Sequence, residues 1–473
     1  MIDAPRGSLG VALAALVALG APARGARADA GVPSRFTLDE AIAFAVENHP
    51  GLRAAHARER AADARIDEAR AGELPSAGVG AQLNRSTGNA VPGAFFAMTG
   101  VPNVAGAARG KTLDGGAFQT GVNVWASWDV STFLQKGAAA DVASADRREA
   151  SASTAVRRLA VEVAVADAFL GVVAAREVER AARASVSRAE VLVNTVRPLV
   201  EQSLRPGADM ARAQAELALA GAQLARAEQV EDVRRAELAE ALGIAGREVE
   251  IVPGALAAPL GRVAAPVSPA GPAAPHPLVQ QRDAAVQRAA EARRAVVLEY
   301  LPHVSLVASL WLRGGGIGPM PTPTADGLVP DTPNWAAGVL ASWSALDIPE
   351  VRARTRVAGA NEAAAVAYRD EAKLAVDGEL AAAQARFRGA LRVAESTAPA
   401  VAAAQAAERQ ATARYAAGLA PVIEVADAQR LLAQAELEDA LARVEVRRAL
   451  LYVARATGDV APFLAAVRAT GGG

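Results

Sequence analysis

The sequence predicts a mixed architecture: a membrane β-barrel to which each chain gives four strands, standing on a long α-helical barrel, the whole chain being a tandem structural duplication. Three observations predict it. First, the chain repeats itself: His49-Pro50 returns as His276-Pro277 and Leu74-Pro75 as Leu301-Pro302, while Ala126-Ser127-Trp128 returns as Ala341-Ser342-Trp343 and Ala213-Gln214 as Ala428-Gln429. The spacing is 227 for the first two pairs and 215 for the last two, so the first copy carries twelve extra residues between its Leu-Pro and Ser-Trp markers. Second, four segments alternate apolar and polar residues with the two-residue period of a strand. Third, an alanine-rich stretch of some sixty residues, 136–197, has no strong breaker except Gly137 and Gly171, and alanine is the best helix former.

In the first copy, Leu38, Ile42, Val46 and Leu52 recur on one face of a helix expected over Leu38 to Gly72, which Leu74-Pro75 stops. Ala77, Val79, Ala81 and Leu83 then alternate with glycine, glutamine and asparagine in a strand expected over 77–87. Gly88 to Gly116 reads as a loop, and 118–130 as a second strand whose faces are apolar and largely polar, as between two different solvents. A long helix is expected over 136–197, on the order of 90 Å at ~1.5 Å per residue. Pro198, Pro206 and Gly207 mark a turn into a helix over 208–242. In the second copy a Pro/Ala-rich connector leads to a helix ending near Tyr300, strands over 303–313 and 335–345, a loop over Gly314 to Pro333, and helices over 350–415 and 422–457. Pro399 kinks the first of these or is absorbed at a cost. The repeats divide the chain into 29–265 and 266–473.

Residues 1–28 read as a secretory signal: Arg6, an apolar run from Leu9 to Leu19, and Ala26-Arg27-Ala28 as a small-x-small cleavage site. That run falls short of the ~20 residues a helical span needs, and no other stretch approaches it. Membrane insertion is therefore expected by strands. Four strands cannot close a barrel, and open sheet edges are not tolerated in lipid, so several chains must cooperate. All five tryptophans (Trp125, Trp128, Trp311, Trp335 and Trp343) fall in the expected strands. They are candidates for an aromatic belt at the membrane interface, against the plainer reading of ordinary sheet packing.

Composition excludes much else. The net charge of −1 carries no polyelectrolyte signature and no case for nucleic acid. The absence of cysteine excludes disulfides, thiolate metal sites and a cysteine nucleophile. The four histidines have no partners at ligand spacing; His49 and His276 stand where helices begin and suggest capping. No GxSxG, HExxH or phosphate loop is present. Neither enzyme activity nor a cofactor nor a metal is expected.

Over essentially the whole mature chain the sequence resembles the outer-membrane efflux proteins, the TolC-like channels. The resemblance is carried by Leu38-Asp39-Glu40-Ala41 with Asn48-His49-Pro50, the two Leu-Pro strand entries, and Arg414-Tyr415-Ala416-Ala417-Gly418-Leu419 followed by Asp427-Ala428-Gln429-Arg430-Leu431. It implies a homotrimer in the bacterial outer membrane with a large periplasmic portion, working with a periplasmic adaptor and an inner-membrane pump or exporter. The function implied is a passive exit duct for efflux or secretion, gated at the periplasmic helix tips. The alternative is a soluble periplasmic or surface coiled-coil protein, which would have no use for strands with one apolar face.

The resemblance also implies site residues. Glu424 and Asp427, three apart and so on one helix face, match the acidic pair that rings the channel constriction, six carboxylates in a trimer; first-turn acids also favour helix starts for their own sake. Asp209 is the first-copy counterpart of Glu424. Tyr415 matches the tyrosine that latches the closed entrance to an acid of the first copy, for which Asp209 is the candidate. Arg205 aligns with Ala420, where the family often has arginine, and is the candidate substitute. Ser203-Leu204 and Gly418-Leu419 occupy the turn tips expected to meet the adaptor; glycine alone would explain the helix end, but not a leucine at both tips. The longer first loop carries Phe95, Phe96 and Met98.

Overall fold

A computed structural model describes residues 33, 35–87, 116–257, 275–315 and 328–469. The signal segment 1–28 and nearly all of the longer first loop lie outside the described residues.

The chain enters through a short strand β1 (Arg35–Phe36) and helix α1 (Leu38–Asn48). Thr37 and Glu40 close a capping box, each side chain bonding the other's backbone N–H, which satisfies two orphan donors of the first turn. The single helix expected from Leu38 to Gly72 is broken at His49. Pro50 has no N–H to give and pushes its predecessor out of the helical region, so His49 is extended (φ −62°, ψ 126°) and a new helix α2 (Pro50–Ala71) begins. The His49 ring caps it, Nδ1 accepting from Gly51 N at 3.0 Å. The repeat does the same: His276 Nδ1 accepts from Leu278 N at 3.1 Å at the start of α5 (Pro277–Leu298).

Strands β2 (Ser76–Thr87), β3 (Gly116–Asp129), β5 (His303–Gly315) and β6 (Thr332–Ser342) form one antiparallel sheet in the order β2-β3-β5-β6. Gly314 and Gly315, expected in a loop, continue β5 because β3 is still there to pair with them. β6 starts and ends three residues earlier than expected, so Trp343 lies just past it. The register is unbroken along all three ladders, and directly paired residues share a face. One face carries the rows Val79–Val124–Leu310–Trp335 and Ala77–Ala126–Ala308–Ala337. The other carries Gly78–Trp125–Ser309–Ala336 and Gly80–Asn123–Trp311–Asn334. On that second face side chains lie flat across the glycine opposite: Trp125 over Gly78, Asn123 over Gly80, Gln82 over Gly121.

Helix α3 (Thr132–Glu201) has 70 residues, about 105 Å at the ordinary rise, and α6 (Ile348–Ala416) has 69. Both contain a proline, Pro198 and Pro399. Pro198 therefore does not begin the turn; its carbonyl still accepts from Gln202 N at 3.1 Å, and the chain leaves the helix only there. Toward the sheet, α2, α3, α5 and α6 pack side by side in that order; toward the turns, α3 packs with α4 (Gly207–Ala241), α6 with α7 (Val422–Thr457), and α3 with α7.

Around the middle sits a compact core. β1 pairs in parallel with β4 (Glu250–Ile251), a last helix α8 (Ala461–Ala469) follows α7, and Phe36, Ile251, Phe169, Leu170, Leu242 and Phe463 are buried together. Arg468 of α8 holds Asp39 of α1 through two nitrogens. Here each copy also folds back on itself: Gly243, just past α4, meets Pro50, and Gly458, just past α7, meets Pro277, both glycines left-handed (φ +79° and +83°).

Candidate functional site: the helix-tip entrance

The end of the molecule farthest from the sheet is built from two turns related by the 215-residue spacing. Ser203 and Gly418 are both left-handed (φ +60° and +79°). Leu204 N bonds Leu199 O at 2.8 Å, and its counterpart Leu419 N bonds Arg414 O at 2.9 Å. Both turns close the orphan carbonyls of a long helix by the same 6→1 bond, and Pro206 and Pro421 then start α4 and α7 from extended backbone. Leu204 and Leu419 are left 65% and 72% exposed at equivalent places of the two turns. Behind them Leu192, Val193, Val196, Ala213, Ala411, Val422 and Val425 pack around Tyr415.

Tyr415 is buried, and its hydroxyl finds no hydrogen-bond partner among the described residues. The bond to Asp209 expected from the sequence is thus not made within the chain. Asp209 is nonetheless near enough to act: burial first, and then the Asp209 charge, push the phenol above its usual value, while Arg205 pulls the other way. Arg205 holds the tyrosine differently, its guanidinium 4.8 Å from the ring centroid and Nη2 donating to Tyr415 O at 3.1 Å. Ala420, the counterpart of Arg205 in the second turn, is buried.

Glu424 and Asp427 stand one turn apart on α7, and neither is a bare carboxylate. Arg414 Nη1 lies 3.0 Å from Glu424 Oε1, and Arg430 Nη1 lies 3.5 Å from Asp427 Oδ1. Arg430 also bonds Glu216 of α4 at 3.0 Å and so ties the two copies together. These arginines stand in the motif that carries the resemblance, yet their role did not show in the sequence. Arg414 reaches across the turn to Glu424, a distance set by the geometry of the tip rather than by helical spacing.

At the other end the register divides the five tryptophans expected in one belt between the two faces of the sheet. Trp128 and Trp335 are on the apolar face, and Trp343 continues its alternation. Trp125 and Trp311 are on the opposite face, among glycine, serine and asparagine. Trp128 and Trp343 share one further device: Trp128 Nε1 donates to Glu73 O at 3.0 Å and Trp343 Nε1 to Tyr300 O at 3.2 Å, each at the carbonyl just before Leu-Pro. Among the described residues there is no cluster of metal-ligating side chains, and no helix is long and apolar enough to cross a membrane.

Strands gathered at one end, paired helix turns at the other and long rods between them describe a channel-forming chain rather than a globular one. The chain belongs to the outer membrane efflux protein family, which it matches over residues 41–244 and 273–459, one stretch in each copy. No curated protein sequence matches it. Among solved structures it is similar to the outer membrane protein VceC of Vibrio cholerae (17% identity, 89% of this chain and 96% of that one, TM-score 0.70). It is also similar to the CmeC channel of Campylobacter jejuni (13%, 89% and 85%, TM-score 0.73). The open-state MtrE channel of Neisseria gonorrhoeae is comparable (18%, 89% and 89%, TM-score 0.70). The shared fold, with its long helical barrel, is that of the TolC-like channels.

Proposed function

We propose that three copies of this chain form an outer-membrane exit duct for efflux or secretion, a passive conduit opened and closed at its periplasmic helix tips. One observation carries the assembly. The apolar face of the sheet is exposed in the single chain, with Val79 at 76%, Leu310 at 65%, Trp335 at 75% and Val339 at 70%. Four strands with free edges and an apolar face are complete only as part of a closed barrel in lipid. Trp335 and Trp343 are eight positions apart, about 26 Å along an extended chain and ~20 Å along the axis of a barrel whose strands tilt by ~40°, which spans most of the height of an apolar band. They and Trp128 suit the two interfacial girdles. A soluble coiled coil leaves this sheet without a purpose.

At the tips, Glu424 and Asp427 with Asp209 line the constriction, and the exposed Leu204 and Leu419 beside Ser203 and Gly418 dock a periplasmic adaptor that connects to an inner-membrane pump or exporter. Arg205 and Tyr415 form the closing element, with Asp209 supplying the nearby charge. The experiment is conductance in planar bilayers of protein extracted from membranes and sized by cross-linking. A trimer with small conductance whose ion selectivity changes in Glu424→Ala/Asp427→Ala supports duct and gate. A conducting trimer indifferent to the change places the gate elsewhere, and a soluble, non-conducting protein refutes the duct.

A further inference from the structure

The face of the sheet opposite the apolar one holds two indoles that a membrane belt does not use. Trp125 lies broadside on the sheet: an added Cβ at Gly78 would stand 2.8 Å from Cε2, Cζ2 and Nε1 alike, so the ring plane covers the glycine. Only glycine permits this. One π-face of Trp125 rests on backbone and the other looks away from the sheet, and the residue is 40% exposed. Trp311 stands on the neighbouring strand, one row further on the same face, between Asn123 and Asn334. Diagonal positions of this kind lie ~7–8 Å apart, within reach of one flat ligand.

The partner of this face follows from its opposite. Lipid takes the side bearing Val79, Val124, Leu310 and Trp335, so the side bearing Trp125, Trp311, Asn123, Gln82 and Ser309 meets the aqueous lumen. Wall residues of a water-filled pore are normally polar. A tryptophan held flat in such a wall offers a fixed, electron-rich surface to whatever passes, without projecting far into the passage.

We propose that Trp125 and Trp311 form a stacking platform in the lumen wall that engages planar aromatic molecules, above all aromatic cations, on their way out. This rests on the duct reading above. Stacking on an indole face and cation–π attraction both act there, and both tolerate varied substituents because they read a ring rather than a hydrogen-bond pattern. Three chains would place three such platforms around the lumen, partway along the barrel wall.

The test uses the full-length channel in planar bilayers, with ethidium as the planar aromatic cation and tetraethylammonium as the non-aromatic control. Ethidium is expected to reduce current through the unaltered channel. Trp125→Ala/Trp311→Ala is expected to need on the order of tenfold more ethidium for the same block, with tetraethylammonium unchanged. A conducting channel blocked equally with and without the two indoles overturns the platform and leaves the duct standing. A preparation that never conducts removes both. An independent measurement is fluorescence of variants keeping a single tryptophan, with lipids brominated in their acyl chains. Trp335 should be quenched by the lipid and Trp125 should not; quenching of Trp125 by lipid would place it outside the lumen and refute the proposal whatever the currents show.

Discussion

Gly458→Ala should be among the most damaging single-atom additions in this chain, for two separable reasons. The residue is left-handed, φ +83°, where a Cβ costs about 1–2 kcal/mol. The Cβ would also stand 2.6 Å from Pro277 Cδ and 3.0 Å from His276 Cδ2. Neither atom is the end of a flexible side chain, and His276 is held besides by its Nε2 contact with Arg455 O at 3.1 Å. Overpacking of this kind costs about 1–3 kcal/mol, for a total of about 2–5 kcal/mol. Gly418→Ala isolates the first contribution: φ is +79°, yet nothing lies within 4 Å of its added Cβ, so about 1–2 kcal/mol is expected. Gly378→Ala, inside α6 with open space around it, should stabilise by about 0.5–1 kcal/mol. The assay is the thermal melt of the purified channel followed by circular dichroism, read as an order: Gly378→Ala highest, then the unaltered chain, Gly418→Ala, and Gly458→Ala lowest. Gly243→Ala, 2.8 Å from Pro50 Cδ, should fall beside Gly458→Ala. If Gly458→Ala melts with Gly418→Ala, the joint with Pro277 carries no energy and the reasoning fails.

Four further outcomes follow from the geometry. Arg414→Ala removes the partner of Glu424 and should make the entrance more cation-selective, seen as a shifted reversal potential in a salt gradient; an unchanged potential would mean that Glu424 does not face the ion path. Tyr415→Phe deletes a buried hydroxyl without a partner in the chain and should leave stability equal or higher, whereas Tyr415→Ala should cost about 3–5 kcal/mol for the cavity; a destabilised Tyr415→Phe would show that the assembled channel supplies that partner. Trp128→Phe should cost about 1 kcal/mol through the lost bond to Glu73 O, and Trp343→Phe the same through Tyr300 O, both measurable by denaturant melts. Burial, and then the charge of Arg157, hold the His49 imidazole below its usual value, so the unfolded chain binds the extra proton first. The contribution of His49 is complete above its unfolded pKa of about 6.5 and is lost as pH falls through and below it. His49→Asn keeps a capping side chain without the titration and should flatten that part of the stability–pH curve.

The long helices and the strands were legible because their signals are long: dozens of residues without a breaker, or ten alternating. What escaped was short or depended on three dimensions. β1 and β4 are two residues each and exist only because the chain brings Phe36 beside Ile251 across more than two hundred residues. The break at His49 is signalled by Pro50, but the apolar period runs on across it through Leu52, and periodicity hid the boundary. Pro198 misled in the opposite sense, since a proline near the end of a very long helix sacrifices one bond among many. Alternation in β3 was visible, yet Trp125 sits out of phase with Val124 and Trp128, so its own position already placed it on the other face. At the entrance the acids and the tyrosine could be named from motifs. The pairing of Arg430 with Asp427 follows from helical spacing, but that of Arg414 with Glu424 does not, because those two meet only after the turn has folded.

The flat-lying side chains of the polar sheet face carry a consequence for how such a passage changes over time. At Gly78, Gly80 and Gly121 the free space in the wall is defined by methyl groups that are missing. Replacing any one of them with alanine would tilt the opposing tryptophan, asparagine or glutamine upward while leaving the ladder bonds intact. In the duct proposed above, the calibre and chemistry of the pore would therefore be open to one-codon adjustment at positions that the apolar face of the sheet never senses.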